Sequence, residues 1–279
     1  MIIEVAKDAG YCFGVRDAVN LAYDASKEHG KVYMLGDIVH NEKVVDDISK
    51  AGAVVVDSLS DVPKDSSILL RAHGTKTDVM DEAQKKKLNL IDATCPLVYE
   101  IHKEVKKLSS EGRQIIVIGD HGHDEVVAIA DQVDGTIVVA NKEEALKLKK
   151  YKRAGVVSQS TQMIENVQEI INVLMTKVFD LHFVNTICYP TKRNHEQIKD
   201  LAVRHDIMII IGSFTSANSK RLTEIAKKLN KNSYQVTSSS DIKKQWFDGI
   251  NSVGISAGAS TPDYLIDEVR VKIENISRS

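Results

Sequence analysis

The sequence predicts an α/β fold with mainly parallel sheets. Short β-branched segments alternate along the chain with longer amphipathic segments, which is the pattern of strands connected by helices. The predicted strands are residues 32–35, 53–56, 68–70, 115–118, 137–139, 156–157, 208–211 and 252–255. The clearest predicted helices are residues 15–29, 96–111 and 217–229, and glycines at positions 30 and 112 end the first two.

Three cysteines indicate that the chain contains three copies of one unit. Cys12, Cys95 and Cys188 are 83 and 93 residues apart, and a glycine that ends an apolar segment follows 24 residues after each of them. A landmark repeated at equal spacing indicates an internal repeat. The sequence therefore predicts three α/β units, at residues 1–92, 93–185 and 186–279.

Polar loops follow the predicted strands at matching places in each copy. Four residues after the glycine stand His40, His123 and Ser216, and a second strand of each copy is followed by RAHG, SQST or SAGAS. Ligands of parallel sheets bind beyond the carboxyl ends of the strands, where loops and helix starts meet. A three-fold arrangement would then bring the cysteines and these loops to one central cavity.

The composition is that of an ordinary soluble protein. The chain has 37 basic and 39 acidic residues and a net charge of −2, so bulk charge does not indicate a nucleic-acid partner. No apolar run approaches the roughly 18 residues that a membrane span needs. We therefore expect a cytoplasmic protein without a membrane segment.

The cysteines need an explanation other than disulfides, because three cannot all pair and a reducing cytosol disfavours even one bond. Three thiolates suit a soft metal centre and leave one coordination position open, as in a catalytic cluster. Packing as small hydrophobic residues is one alternative. A zinc ion held by three cysteines and an outside ligand is another. Their equivalent positions in the repeat favour a shared metal site.

The loops contain the groups that bind phosphate. Backbone amides and short hydroxyls at helix starts suit a phosphate or diphosphate, and histidines add charge near neutral pH. One loop histidine alone is more often a capping residue. His40, His73 and His123, however, each follow the end of a predicted strand.

Glu125 is the candidate proton donor. It lies two residues after His123, and we expect the other copies to lack a carboxylate at the matching offset. A carboxylate beside a metal could act as a general acid. The alternative is the ordinary preference of acidic residues for helix starts, which also accounts for Glu42. Gln159, Ser160 and Thr161 could orient Glu125 or the substrate.

Taken in order, these motifs resemble the LytB/IspH family, the 4-hydroxy-3-methylbut-2-enyl diphosphate reductases of the non-mevalonate isoprenoid pathway. The resemblance covers nearly the whole chain and rests on AGYCFGVRDAV, GDIVHN, RAHG, DATCPLV, GDHGHDEV, SQST, NTICYPT, GSFTSANSKRL and SAGAS. It implies a trefoil of three α/β units around a [4Fe–4S] cluster on Cys12, Cys95 and Cys188. It also implies proton delivery by Glu125, assisted by Thr161. The implied diphosphate ligands are His40, His73, His123, Ser216, Asn218 and Ser260.

The chain departs from the family pattern at four places. Ala217 replaces a serine, so that only its backbone N–H can donate to the diphosphate. Asp124 stands where the family usually has proline in HPE, and Ala128 stands where a glycine is usual. Asn194 and His195 replace an arginine and a glutamine.

The implied reaction is reductive removal of a hydroxyl group from 4-hydroxy-3-methylbut-2-enyl diphosphate, which gives isopentenyl and dimethylallyl diphosphates. The electrons would come from a ferredoxin, a flavodoxin or a similar protein, since no dinucleotide-binding motif is evident. One alternative is a diverged family member that acts on another small anionic substrate. A non-catalytic iron–sulfur sensor is a further alternative, against which the presence of Glu125 and Thr161 argues.

Overall fold

The computed structural model describes residues 1–278, and its strands form three parallel sheets of four strands each. The first sheet has the order β3-β2-β4-β5, the second β7-β6-β8-β9 and the third β11-β10-β12-β1. The strands of the first two sheets are β2 (Val32–Leu35), β3 (Ala53–Val56), β4 (Ser67–Leu70), β5 (Asn89–Asp92), β6 (Gln114–Ile118), β7 (Ile137–Val139), β8 (Tyr151–Ser158) and β9 (Val178–Phe183). Those of the third are β10 (Ile207–Ile211), β11 (Ser233–Val236), β12 (Ser252–Ala257) and β1 (Ile2–Val5). The repeated order confirms three α/β units of one design.

Helices connect the strands, as a parallel sheet requires. They are α1 (Phe13–His29), α2 (Glu42–Lys50), α3 (Thr77–Lys85), α4 (Pro96–Ser110), α5 (Asp124–Ala130), α6 (Lys142–Lys147), α7 (Ile164–Leu174), α8 (Tyr189–Arg204), α9 (Ala217–Leu229) and α10 (Asp263–Arg278). No helix within residues 1–278 combines the length and the apolar character that crossing a bilayer requires.

The chain divides into two compact units. The terminal unit comprises Met1–Arg16, Val39–Asp47 and the chain from Tyr189 onward, and it contains the third sheet. The central unit comprises Asp17–Ile38 and Ile48–Cys188, and it contains the first and second sheets. The boundaries 1–92, 93–185 and 186–279 stay a prediction.

The first strand of the chain belongs to the last sheet. In β1, Ile2 lies opposite Ser252 and Val5 opposite Ile255 of β12, in parallel register. Strand β1 therefore occupies the place that β5 and β9 occupy in the other two sheets. In each sheet this strand is the last strand before a cysteine in the sequence. The start of the chain therefore supplies the fourth strand of the third sheet.

Apolar side chains on both faces of the sheets hold the helices. In β6, Ile116 and Ile118 pack into a cluster with α6 and α7, whereas Ile115 and Val117 pack into a cluster with α4 and α5. Alternate residues of a strand point to opposite faces, so this run of buried residues places apolar side chains on both faces of the sheet. Burying each such side chain contributes about 1.5–3 kcal/mol, which fixes the strand ends and the loops that follow them.

Candidate active site

The three cysteines occupy equivalent positions at the starts of helices. Cys12, Cys95 and Cys188 directly precede α1, α4 and α8, and each is half-buried. Cys95 is the N-cap residue of α4, with Pro96 in the first turn. A helix start stabilises a thiolate, because the helix dipole places partial positive charge there.

Each cysteine is also tied to a polar loop through its backbone. The N–H of Cys12 donates to the carbonyl of Ala259 in SAGAS (3.3 Å). The N–H of Cys95 donates to Ala72 in RAHG (3.0 Å), and that of Cys188 donates to Ser160 in SQST (2.9 Å). The same bond in all three copies links each loop to the following cysteine, which sequence spacing alone did not reveal.

In the central unit, Glu125 is buried and held by Ser160. Glu125 is only 2% exposed. Its two carboxylate oxygens accept hydrogen bonds from the backbone N–H (2.5 Å) and the hydroxyl (2.7 Å) of Ser160. The carbonyl of Ser160 accepts the N–H of Cys188. Ser160 thus connects the candidate proton donor to a cysteine through a single residue.

The histidines of the central unit lie together. His73 and His123 pack edge to face, with ring centroids 5.6 Å apart. His123 is the N-cap of α5, and its Nδ1 accepts from the N–H of Glu125 (3.2 Å). Because Nδ1 accepts, the proton of a neutral ring lies on Nε2, which is then the nitrogen that can donate to an anion.

Gln159 and Thr161 lie on either side of Ser160 in the SQST loop and differ in their burial. Gln159 is fully buried, and its Oε1 accepts from the N–H of Asp120 (3.1 Å). This bond fixes the start of the loop that contains His123, so the structure gives Gln159 a positioning role. Thr161 is half-buried and directly follows Ser160.

The RAHG loop rests on α4. Gly74 has a φ of +90°, and a Cβ there would lie 3.2 Å from the ring of His102 and 3.3 Å from Ala128. Burial lowers the pKa of His102 to about 4, so this ring is neutral at physiological pH. His102 therefore supports the loop as a neutral packing residue.

In the terminal unit, the start of α9 presents polar groups. Ser216 is the N-cap residue, and its hydroxyl oxygen accepts from the N–H of Ser219 (3.3 Å). The hydroxyl proton of Ser216 is not used in that bond. Ala217 is the first residue of the helix, where backbone N–H groups have no partner within the helix. Asn218 follows, is 5% exposed, and neither its Oδ1 nor its Nδ2 has a partner among residues 1–278.

Ser260 and His40 also meet in the terminal unit. Ser260 lies in the loop after β12, and its hydroxyl donates to the carbonyl of His40 (3.1 Å). The bond joins two of the predicted polar loops, GDIVHN and SAGAS. The hydroxyl oxygen of Ser260 still has lone pairs, but its proton already has an acceptor.

The expectation of a unique carboxylate was wrong. Glu42 lies 30 residues after Cys12, as Glu125 lies 30 residues after Cys95. It is the first residue of α2 and accepts from the hydroxyls of Ser213 (2.7 Å) and Thr215 (3.3 Å). Burial raises the pKa of Glu42, but these hydrogen bonds outweigh it and hold the pKa below its ordinary value. Glu42 therefore stays ionised at neutral pH and is a poor proton donor.

Asn194 and His195, which stand where the resemblance implies an arginine and a glutamine, both lie in α8. Asn194 and His195 are buried side chains of α8, 4% and 6% exposed, in the terminal unit. Their burial gives them a role in packing α8, and the sequence offered no signal for it.

The fold and the site define an α/β protein that presents thiols, histidines, hydroxyls and a buried carboxylate at the carboxyl ends of parallel strands. This is the layout of an enzyme with an anionic ligand. A family model described as LytB protein matches residues 3–274, and the chain belongs to this family.

Relatives of known name agree over the full length. The 4-hydroxy-3-methylbut-2-enyl diphosphate reductase of Geotalea uraniireducens (strain Rf4) is 39% identical over 279 residues, which is 100% of this chain and 99% of the relative. The protein of the same name from Geobacter metallireducens (strain ATCC 53774 / DSM 7210 / GS-15) is 39% identical over 277 residues, which is 99% of this chain and 98% of the relative.

A solved structure shows the same fold. The E-1-hydroxy-2-methyl-but-2-enyl-4-diphosphate reductase from Plasmodium falciparum matches with a TM-score of 0.92 and 28% sequence identity, over 98% of this chain and 87% of that chain. The sequence-based assignment to this family is thereby confirmed.

Proposed function

We infer that this chain is a 4-hydroxy-3-methylbut-2-enyl diphosphate reductase, the terminal enzyme of the non-mevalonate isoprenoid pathway. The full-length match to reductases of that name supports the inference. The observation in the structure that carries it is the recurring bond from each cysteine N–H to a polar loop. That backbone bond fixes each cysteine beside a loop that would hold the substrate.

Cys12, Cys95 and Cys188 would together hold one [4Fe–4S] cluster. The donor set fits this group, since three thiols at helix starts are soft ligands that favour the thiolate form. The aromatic side chains that follow Cys12 and Cys188, Phe13 and Tyr189, also stack with ring centroids 5.8 Å apart. When bound, the cluster supplies electrons and a Lewis-acidic iron with an open position. The family resemblance supports a trefoil of the three α/β units around it.

The reaction consumes two electrons and two protons, breaks the carbon–oxygen bond of the allylic alcohol, and releases water. Glu125 would hold one proton at Oε2, where the hydroxyl of Ser160 can turn from donor to acceptor. Thr161, the next residue, would assist the transfer. The electron donor would be a ferredoxin, a flavodoxin or a similar protein.

The diphosphate would be bound by histidines, hydroxyls and amides of the predicted polar loops. His73 and His123 offer ring N–H donors, and Ser216, Ala217 and Asn218 offer a hydroxyl, a backbone N–H and an amide at one helix start. Asn218 is the strongest single argument, because a buried amide with no partner among residues 1–278 costs free energy unless a ligand satisfies it. His40 and Ser260 complete the proposed diphosphate set, while Gln159 and Ser160 would orient Glu125 or the substrate.

We expect Asn218→Ala to raise the substrate KM by roughly ten- to a hundred-fold, since a hydrogen bond to a charged group is worth about 1.5–3 kcal/mol. Steady-state kinetics of the cluster-loaded variant would measure it. Asn275→Ala, at an exposed position of α10, is the matched control and should leave KM unchanged. Equal binding of the diphosphate and the unphosphorylated alcohol would contradict the assignment.

The function itself is tested by an anaerobic assay of the cluster-loaded protein. With a chemical reductant and 4-hydroxy-3-methylbut-2-enyl diphosphate, we expect isopentenyl and dimethylallyl diphosphates. If the loaded protein binds the substrate without turnover, a sensor is the better description. If it turns over only another anionic substrate, it is a diverged member of the family.

A further inference from the structure

The Arg71 side chain, in the RAHG loop of the central unit, contacts the end of β2 and the start of α5. Its Nε and Nη2 donate to the carbonyl of Leu35 at the end of β2 (3.1 and 2.8 Å). Its Nη1 forms an ion pair with Oδ2 of Asp124. Gly36 has a φ of +69° and lies so close to the guanidinium that a Cβ there would overlap it. The guanidinium is therefore fixed in orientation, with one edge on a carbonyl and the other on a carboxylate.

Asp124 lies among the residues proposed to bind the diphosphate. It stands between His123 and Glu125 at the start of α5, and a ring nitrogen of His73 lies within 4.8 Å of its carboxylate. A carboxylate here would repel an anionic ligand, because like charges a few ångström apart repel each other. The charge of Asp124 therefore needs to be cancelled.

A second contact joins the RAHG loop to α5. The Cβ of Ala128, one turn after Asp124 on α5, lies against Gly74 of the RAHG loop. The carbonyl of Ala72 in that loop accepts the N–H of Cys95. Asp124 and Ala128 therefore both lie against RAHG, and two contacts hold this loop to α5.

We propose that Arg71 is a positioning residue that cancels the charge of Asp124 and holds the RAHG loop against α5. His73 and His123 then meet the diphosphate without a competing negative charge. The proposal rests on the proposed function, because it takes the diphosphate as the ligand of these histidines. The pair is partly shielded, with side chains 21% and 35% exposed, so its charges are only partly screened by solvent.

A double-mutant cycle on the cluster-loaded protein tests this. Arg71→Met leaves the Asp124 carboxylate uncancelled, so KM and the dissociation constant of inorganic diphosphate should rise about tenfold, with kcat within about threefold of wild type. Asp124→Asn removes the repulsive charge and should bind diphosphate as tightly as wild type or more tightly. The double variant should return to within about threefold of wild type.

A purely structural bond between the loops predicts a different result. Both single variants would then weaken binding, and the double variant would be no better than Arg71→Met, which would overturn the proposal. If Arg71→Met alone fails to fold, Asp124→Asn still decides, since a tenfold loss of affinity in that variant is equally contrary. Arg153→Met and Asp180→Asn disrupt a comparable ion pair of 3.0 Å between β8 and β9 and serve as the matched control.

Inorganic diphosphate also separates the two levels of inference. If wild-type protein does not bind diphosphate at all, the proposed function fails. If the wild type binds it and the cycle shows no rescue, only the role of Arg71 fails.

Discussion

Glu125→Gln should lower single-turnover reduction by about 10²–10⁴-fold, the usual contribution of a general acid, while the cluster and substrate affinity are retained. The structure explains why the variant keeps its shape. Glutamine can accept the N–H of Ser160 with its carbonyl oxygen and donate to the Ser160 hydroxyl with its amide. It cannot release a proton at neutral pH. Iron content, substrate affinity and single-turnover rate of the one variant measure the three properties separately.

Glu42→Gln is the matched control for this experiment. Glu42 occupies the same offset in the first copy and also starts a helix, but the hydroxyls of Ser213 and Thr215 hold its pKa low after burial has raised it. We expect its turnover to stay within about threefold of wild type, since no proton is taken from it. Near-normal turnover of Glu125→Gln, or equal losses in both variants, would refute the assignment of Glu125 as proton donor.

The contrast between these two glutamates shows where sequence reasoning stops. Their positions in the repeat are equivalent, and spacing cannot separate them. What differs is the hydrogen-bond partner. Ser160 donates to Glu125 and its carbonyl accepts the N–H of Cys188. The partners of Glu42, Ser213 and Thr215, belong to the loop before α9. Hydrogen-bond partners distant in sequence leave no periodic signal, so only the folded chain distinguishes a proton donor from a helix-start residue.

The central strands were predictable because they are apolar on both faces. The bounds of the central strand β2 agree with those predicted from the sequence. The edge strands β3 and β7 were also predicted with the observed bounds, because all of their residues are apolar. The missed strands are β1, β5, β9 and β11. All four lie at sheet edges. Edge strands bond on one side only and tolerate polar residues, such as Glu4 in β1 and Asp180 in β9. Their short apolar pattern therefore resembles that of a loop.

The residues that support the loops were also missed. The motif RAHG contains Arg71 but does not indicate a role for it, and His102 lies outside the motifs that the sequence predicts to be functional. In the structure, Arg71 contacts Leu35 and Asp124, and His102 lies under Gly74. Each contact joins different secondary-structure elements, so the motif letters could locate the loops but not what holds them.

Replacing any one of the three cysteines by serine should abolish the cluster. We expect anaerobically purified wild-type protein to be brown, with about four irons per chain, and each of Cys12→Ser, Cys95→Ser and Cys188→Ser to be colourless with little iron. A serine hydroxyl is nearly isosteric with the thiol but is far less acidic, so it does not supply the soft anionic ligand that iron–sulfur clusters require. Iron analysis and visible absorption spectra measure the loss, and circular dichroism checks that each variant is folded.

Equal loss at all three positions is the decisive result, because it separates a shared metal site from cysteines that only pack. Each cysteine is half-buried at a helix start, and the backbone bonds to Ala259, Ala72 and Ser160 do not involve the side chain. A Cys→Ser change that affected packing alone would therefore cost about 1 kcal/mol of stability, with no effect on colour or iron. A colourless wild-type protein that holds one zinc ion would contradict the cluster. Loss of iron in only two of the variants would restrict the ligand set to those two cysteines and require a different third ligand.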